Sequence, residues 1–328
     1  MVRPIVHIGF HKTGTTWFQN AVYPRVQNMA YIARATTQAA LLTPGGLHFE
    51  AGDAARQLEA AKPVILCEEN LSGYLHNDGL HGFLSKEMAQ RVHSVLADAR
   101  IVVFVRAQPE MITACHQQYV RGGGTYGVKR YLWPQDWLYG AESQPFKVPR
   151  FSFDHFDYDR LIAHYVALFG AGNVHVYPFE AISRDARAFL ARFTEDLGIE
   201  LDLAAVPMAR QNVSYGRAIL CLTRILNRFT ARSVNDKRYW IHIPYWYGLR
   251  KIVVEPLNRC GILGRYTTPD EILGEQTTAW IRQRYWQSNR RLATLVAWDP
   301  AEFGYPMDPP AAPVDRPRRA TWLSWTAR

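Results

Sequence analysis

The sequence predicts an α/β layered fold with a mostly parallel sheet. Short β-forming runs recur at wide spacing, helical patterns fill the intervals between them, and the first run leads at once into a glycine-bracketed loop and a helix. The runs are IVHIGF at 5–10, VILCEE at 64–69, IVVFVR at 101–106 and NVHVYP at 173–178, with a weaker NMAYIA at 28–33. The helical patterns lie at 87–97, 109–120, 157–169 and 183–197. In sheets of this kind ligands gather beyond the C-terminal ends of the strands. The informative residues are therefore Lys12 to Thr16 after the first run, Glu68, Glu69 and Asn70 after the second, and Arg106 at the end of the third. A cationic loop, an acidic pair and an arginine should meet at one edge.

The first element is IVHIGFHKTGTTWFQN, residues 5–20. Ile5, Val6, Ile8 and Phe10 suit a buried strand, Gly9 and Gly14 bracket a tight turn, and Trp17, Phe18, Ala21 and Val22 fall at helical spacing. Loop amides and a helix N-terminus would face one point, an arrangement that favours negative charge. Between 121 and 156 the pattern breaks into a Gly-rich, aromatic and basic stretch, read as a mobile lid-like loop. After about 205 the chain reads as helical, with amphipathic stretches at 215–229 and 271–296. The aromatic run YWIHIPYWY at 239–247 reads as core or dimer surface, with sugar stacking or lipid contact as alternatives. Residues 1–308 are expected to form one α/β domain, followed by a Pro/Arg/Trp-rich tail at 309–328.

A net charge of +9 favours acidic ligands in general. The charge is scattered rather than run-like, which argues against nucleic acid. Cys67, Cys115, Cys221 and Cys260 form no C-x-x-C pair, and the histidines show no metal-like grouping, so reduced thiols and no metal are expected. No leader is visible, and no apolar run reaches the ~18 residues of a membrane span. A cytoplasmic protein is expected, with the tail's Arg316, Arg318 and Arg319 beside Trp322 and Trp325 open to peripheral contact with an anionic membrane. Lys129, Arg130, Lys237, Arg238, Arg250 and Lys251 read as a solvated basic face or an acidic-acceptor surface.

Gly9 and Gly14 are spaced like the start of a Walker A loop, but Thr15 stands where its Lys would follow, and the loop's only Lys is Lys12. HKTGTTWFQ instead closely resembles the 5′-phosphosulfate loop of sulfotransferases that use 3′-phosphoadenosine 5′-phosphosulfate (PAPS). RIVVFVRAQPE resembles that family's 3′-phosphate signature, and FDYDRLIAHYVALFGAGNVHVYPFEAI and YWQSNRRLA resemble stretches of its bacterial and carbohydrate-type branch. The resemblance implies a P-loop NTPase-like three-layer fold with a helical C-terminal part. It also implies PAPS as co-substrate without a metal, and sulfuryl transfer to a hydroxyl of a carbohydrate or glycolipid.

Carried onto this chain, the loop His11, Lys12, Thr13, Gly14, Thr15, Thr16 and Trp17 would hold the 5′-phosphate, and Lys12 would assist the leaving group. Arg106 would bind the 3′-phosphate. The family's Ser eight residues later is here Ala114; either Thr113 substitutes with a shifted helix, or backbone and Gln117 make the contact. Glu69 is the expected base. Side chains alternate along a strand, so only one of Glu68 and Glu69 can face the site; Glu68 and His11 are the competitors. Asn212 and Ser214 read as caps of a helix starting near Tyr215. A P-loop phosphotransferase and a non-catalytic basic binder of acidic polymers are the rival readings.

Overall fold

Five parallel strands form the sheet: β1 (Ile5–Gly9), β2 (Ala30–Tyr31), β3 (Val64–Cys67), β4 (Arg100–Val105) and β5 (Val174–Pro178), in the spatial order β2-β3-β1-β4-β5. All five expected strands are present, although each runs shorter or shifts by a residue or two at its ends. In register, Ile5 sits beside Ile65 on one side and Arg100 on the other. The chain leaves β1 for β2 and β3 on one flank and returns to β4 and β5 on the opposite flank. The order therefore reverses around β1, and the loops after β1, β3 and β4 share the switch point where such sheets place ligands.

This computed structural model describes residues 2–59, 63–76, 82–137, 151–208, 214–231, 237–260 and 268–317. It falls into two units: Met1–Ala107 with Phe153–Gln211 and Tyr285–Met307, and Gln108–Ser152 with Asn212–Arg284 and Asp308–Arg328.

The first unit is layered because strand side chains alternate. Ile5, Ile65, Cys67, Val102 and Phe104 face one core, against Phe18, Ala21, Val22 and Tyr23 and against Leu190 and Phe193 of the Ala186–Asp196 helix and Leu197 just after it. The alternate residues Val6, Ile8, Leu66, Val103 and Val105 are equally buried. On that side the Tyr158–Phe169 helix packs on β4 and β5, with the Phe83–Val95 helix beside it. Asp185 begins the Ala186–Asp196 helix by accepting from the amides of Arg187 and Ala188, which splits the expected 183–197 helix from a short Phe179–Arg184 turn. At the outer edge, the Trp298 Nε1–H donates to the Val176 carbonyl (2.9 Å). A cleft of about 640 Å³ lies between β5, the Ala186–Asp196 helix and residues 294–298.

In the second unit, part of the expected lid is ordered. Val128–Leu132 is helical, and Tyr131 packs its ring on Tyr119 (4.9 Å) and Phe151 (5.1 Å). Aromatic burial supplies the order that the Gly-rich pattern concealed; residues 138–150 lie outside the described residues. The helix Arg217–Leu226 begins at Gly216 with no side-chain cap, so Ser214 does not cap it; Asn212 lies outside the described residues. The run 239–247 is not core, since Tyr239, Trp240, Ile241, Ile243 and Tyr245 are exposed. In the tail, Val314 exchanges two hydrogen bonds with Gln283, and Arg316 pairs with Asp136 at 3.0 Å, so Arg316 is already engaged. Arg318, Arg319, Trp322 and Trp325 lie outside the described residues.

His7 is fully buried in the middle of β1, its Nδ1 2.9 Å from the Tyr23 hydroxyl and its ring against Phe18 and Phe104. Burial pushes its pKa down to about 3, and His76 and His116 are pushed by burial to about 4. The unfolded chain binds these protons below about pH 6.5, whereas the native state refuses them. Their contribution to stability is therefore whole above pH 6.5 and drains as pH falls toward 4. Urea unfolding at a series of pH values should show a midpoint that drops steadily from pH 6.5 to 4.5; a flat midpoint contradicts this.

Candidate active site

The loop after β1 is shaped by three backbone positions. Gly9 takes φ +97°, which strains any L side chain, and a Cβ there would lie a tight 3.1 Å from Glu69 Cα and Cβ. Lys12 takes the left-handed conformation at φ 62°, which is uncommon for a residue with a Cβ. Gly14, at φ +89°, caps the helix, its carbonyl accepting from the amides of Trp17 (2.8 Å) and Phe18 (3.3 Å). The helix starts at Thr15–Trp17 and widens by one residue per turn over Phe18–Val22, the Tyr23 amide bonding back to the Phe18 carbonyl. The Thr13 hydroxyl turns inward to the Phe10 carbonyl, and Trp17 donates its indole N–H to the Pro207 carbonyl (2.9 Å). These two side chains brace the loop. Thr15 is buried, whereas Thr16 is exposed.

Arg106, just past β4, reaches the loop from the side. Its Nη1 donates to the Lys12 carbonyl at a long 3.5 Å, and its guanidinium lies over the Phe179 ring, 5.1 Å from the centroid. The Tyr158 hydroxyl donates to the Arg106 carbonyl (2.8 Å), and Glu180 accepts from the Ala107 amide (3.0 Å). These contacts fix the turn that leaves the strand. Thr113 and Ala114 belong to the second unit, on the helix Gln108–Arg121. There the Thr113 hydroxyl donates to the Pro109 carbonyl (2.8 Å).

The acidic pair departs from the alternation expected of it. β3 ends at Cys67, and Glu68 caps a short turn at Glu69–Ser72, so strand geometry no longer separates the two carboxylates. Arg34 reaches both of them. Its Nε lies 2.7 Å from Glu68 Oε2, and its Nη2 lies 3.0 Å from Glu69 Oε1. Glu68 is fully buried and saturated, accepting also from Gln38 Nε2 (2.7 Å), the Asn70 amide (2.9 Å) and Asn70 Nδ2 (2.8 Å). Glu69 stays partly open, with Gln19 Nε2 3.3 Å from its Oε2. Burial raises the pKa of Glu69, against the opposing pull of Arg34. This leaves Glu69 the more accessible carboxylate, and Glu68 a structural anchor.

His11 completes the cluster. Asn70 Nδ2 is directed at Glu68, so its Oδ1 is the atom that faces His11 Nε2 at 3.0 Å. Nε2 therefore carries the hydrogen and Nδ1 the lone pair; Nδ1 is buried with no hydrogen-bond partner among the described residues. Burial first, and then the neighbouring His155, push the His11 pKa down to about 3, so the ring is neutral at ordinary pH.

The structure thus brings His11, Lys12, Thr13, Gly14, Thr15, Glu69 and Arg106 around the ends of β1, β3 and β4. The sequence reading missed Arg34, Gln38 and Gln19. A signal for Arg34 was available: it follows the weak strand β2 just as Glu68 follows β3, and the two strands are neighbours.

No protein-family model and no curated protein matches the chain. Among solved structures, it is similar to a sulfotransferase from Alicyclobacillus acidocaldarius at 16% identity, over 65% of this chain and 87% of that one, with a TM-score of 0.46. It is also similar to the mouse sulfotransferase SULT7A1 complexed with PAP at 15% identity, over 90% and 88% of the two chains, with a TM-score of 0.40.

Replacing Arg34 with Met leaves the sealed Glu68 carboxylate without its cation. Chemical denaturation should show a loss of about 1–3 kcal/mol, the cost of a buried polar group deprived of its partner. An unchanged unfolding midpoint would remove Arg34 from its bridging role.

Proposed function

We propose that the chain moves a sulfuryl group from PAPS to a hydroxyl of a carbohydrate or glycolipid acceptor. The observation that supports this best is the meeting of the Lys12 loop, Arg106 and Glu69 at the switch point of the sheet. The loop sequence HKTGTT resembles the PAPS-binding loop, and its geometry suits an anion. Two left-handed positions fold it tightly, and Thr13 and Trp17 pin it from beneath. Lys12 and Arg106 supply positive charge, and the amides and hydroxyls of Gly14, Thr15 and Thr16 supply donors for a 5′-phosphate.

In the proposed step the acceptor oxygen bonds to sulfur while the bond from sulfur to the phosphate oxygen breaks. The departing oxygen keeps the electron pair, and the Lys12 ammonium stabilises the charge that develops there. Glu69 takes the acceptor's proton. Its raised pKa suits a base, and its partial exposure leaves it reachable. Arg34 and Gln19 hold its two oxygens in place. No metal is assigned a role.

Labelled sulfate transfer from PAPS to a panel of glycans and glycolipids tests the reading. Lys12→Ala should lower kcat by roughly 10²–10³-fold, the usual cost of losing one group that stabilises developing charge. The wild-type rate should fall on the acid side as Glu69 is protonated, and Glu69→Gln should abolish both most of the rate and that limb. A limb surviving in Glu69→Gln transfers the role of base to His11. Thermal stabilisation by ATP–Mg²⁺ but not by 3′-phosphoadenosine 5′-phosphate would favour the phosphotransferase instead.

A further inference from the structure

The helix Trp246–Cys260 in the second unit is turned inside out. At about 100° per residue, Leu249, Ile252, Val253 and Pro256 share one face, and Arg250, Val254 and Asn258 share the opposite one. In a water-facing helix the first set would be buried. Here it is exposed, with Ile252 at 71%, whereas Arg250 and Asn258 are 3% and 5% exposed. The polar inward face is built in: Asn258 bonds to the Gly216 amide and the Ser214 carbonyl, and Arg250 Nη2 donates to the Arg121 carbonyl (3.0 Å). The helix therefore cannot simply rotate its apolar face inward.

The exposed face continues into the preceding segment. Trp240 is 64% exposed and Tyr245 93%, and Tyr239, Ile241, Ile243 and Ile225 are open as well. The segment is held rather than loose. The Trp240 and Ile243 amides donate to the carbonyls of Arg228 and Phe229, and the Trp246 indole donates to the Leu226 carbonyl (2.8 Å). Of the thirteen exposed large apolar side chains among the described residues, nine lie between 225 and 253. A concentration of this size marks a surface that is covered in use.

Charge identifies the cover. The described residues of 214–260 carry eight Lys and Arg (Arg217, Arg224, Arg228, Lys237, Arg238, Arg250, Lys251 and Arg259) against one acid, Glu255, which is taken up by Arg121 and Tyr215. Arg238, Lys251 and Arg259 are exposed, and Arg228 stacks on Trp240 at 4.6 Å. A second copy of the chain docked by symmetry would set these cations against one another. An interface rich in acidic headgroups would pair with them, while Trp and Tyr rings suit the boundary between headgroup and acyl chain. We infer that this face of the second unit docks on an anionic lipid bilayer, with Trp240, Tyr245, Leu249, Ile252 and Val253 entering the interfacial layer and Arg238 and Arg259 meeting the headgroups. Among the described residues no helix is long and apolar enough to cross a membrane, so the contact is peripheral.

Cosedimentation of the full chain with vesicles tests this. Vesicles of phosphatidylglycerol mixed with phosphatidylcholine should bind the protein, and vesicles of phosphatidylcholine alone should bind it far less. The double variant Trp240→Ser, Ile252→Asp should lower partitioning by about tenfold or more, and so should Arg238→Glu with Arg259→Glu. These positions are exposed, so thermal unfolding serves as the control for folding and should not change. Equal binding to both vesicle types overturns the inference, as does unaltered binding of either double variant. A dimer in sedimentation velocity that Ile252→Asp dissolves overturns it in favour of a second copy. Lys12→Ala should bind vesicles like the wild type, so this outcome is independent of sulfuryl transfer.

Discussion

One guanidinium anchors the acidic side of the site. Arg34 sits just after β2, the outermost strand beyond β3, and grips Glu68 and Glu69 together. Two adjacent carboxylates in a half-sealed pocket repel one another, and without a shared cation one would be expelled or protonated. With Arg34 present they divide their labour. Glu68 saturates its oxygens with Arg34, Gln38 and Asn70, and Glu69 is left poised. Glu68 also orients Asn70, and Asn70 orients His11, so a single ion pair sets the hydrogen-bonding of residues that come from three strand ends.

The central strand imposes a second constraint. β1 is flanked by β3 and β4, and its last residue, Gly9, lies close to Glu69 at a positive φ that strains any other side chain. The loop after β1 and the acidic turn therefore lie against each other.

Much of this was legible in the sequence. The strands showed themselves because a sheet buried on both faces needs unbroken β-branched and aromatic runs such as IVVFV. The loop showed itself because glycine spacing next to a strand has few other uses. Arg34 stayed hidden because its partners are 34 and 35 residues away and the strand before it is two residues long. The end of β3 at Cys67 was hidden too: Glu68 continues the extended pattern by composition, and only its capping bond to the Asn70 amide reveals the turn. The helix at 246–260 escaped notice for the opposite reason. Its apolar residues follow the helical period but face outward, and Pro256 interrupts it, so burial and pattern disagree.

The rim of the sheet carries a separate consequence. β2 is two residues long, and β5 ends in Pro178, with its Val176 carbonyl occupied by the Trp298 indole. Unpaired strand rims template the addition of foreign strands, and a short rim on one flank with a plugged rim on the other denies that template on both. Growth of the sheet by strand addition is thereby disfavoured on both flanks.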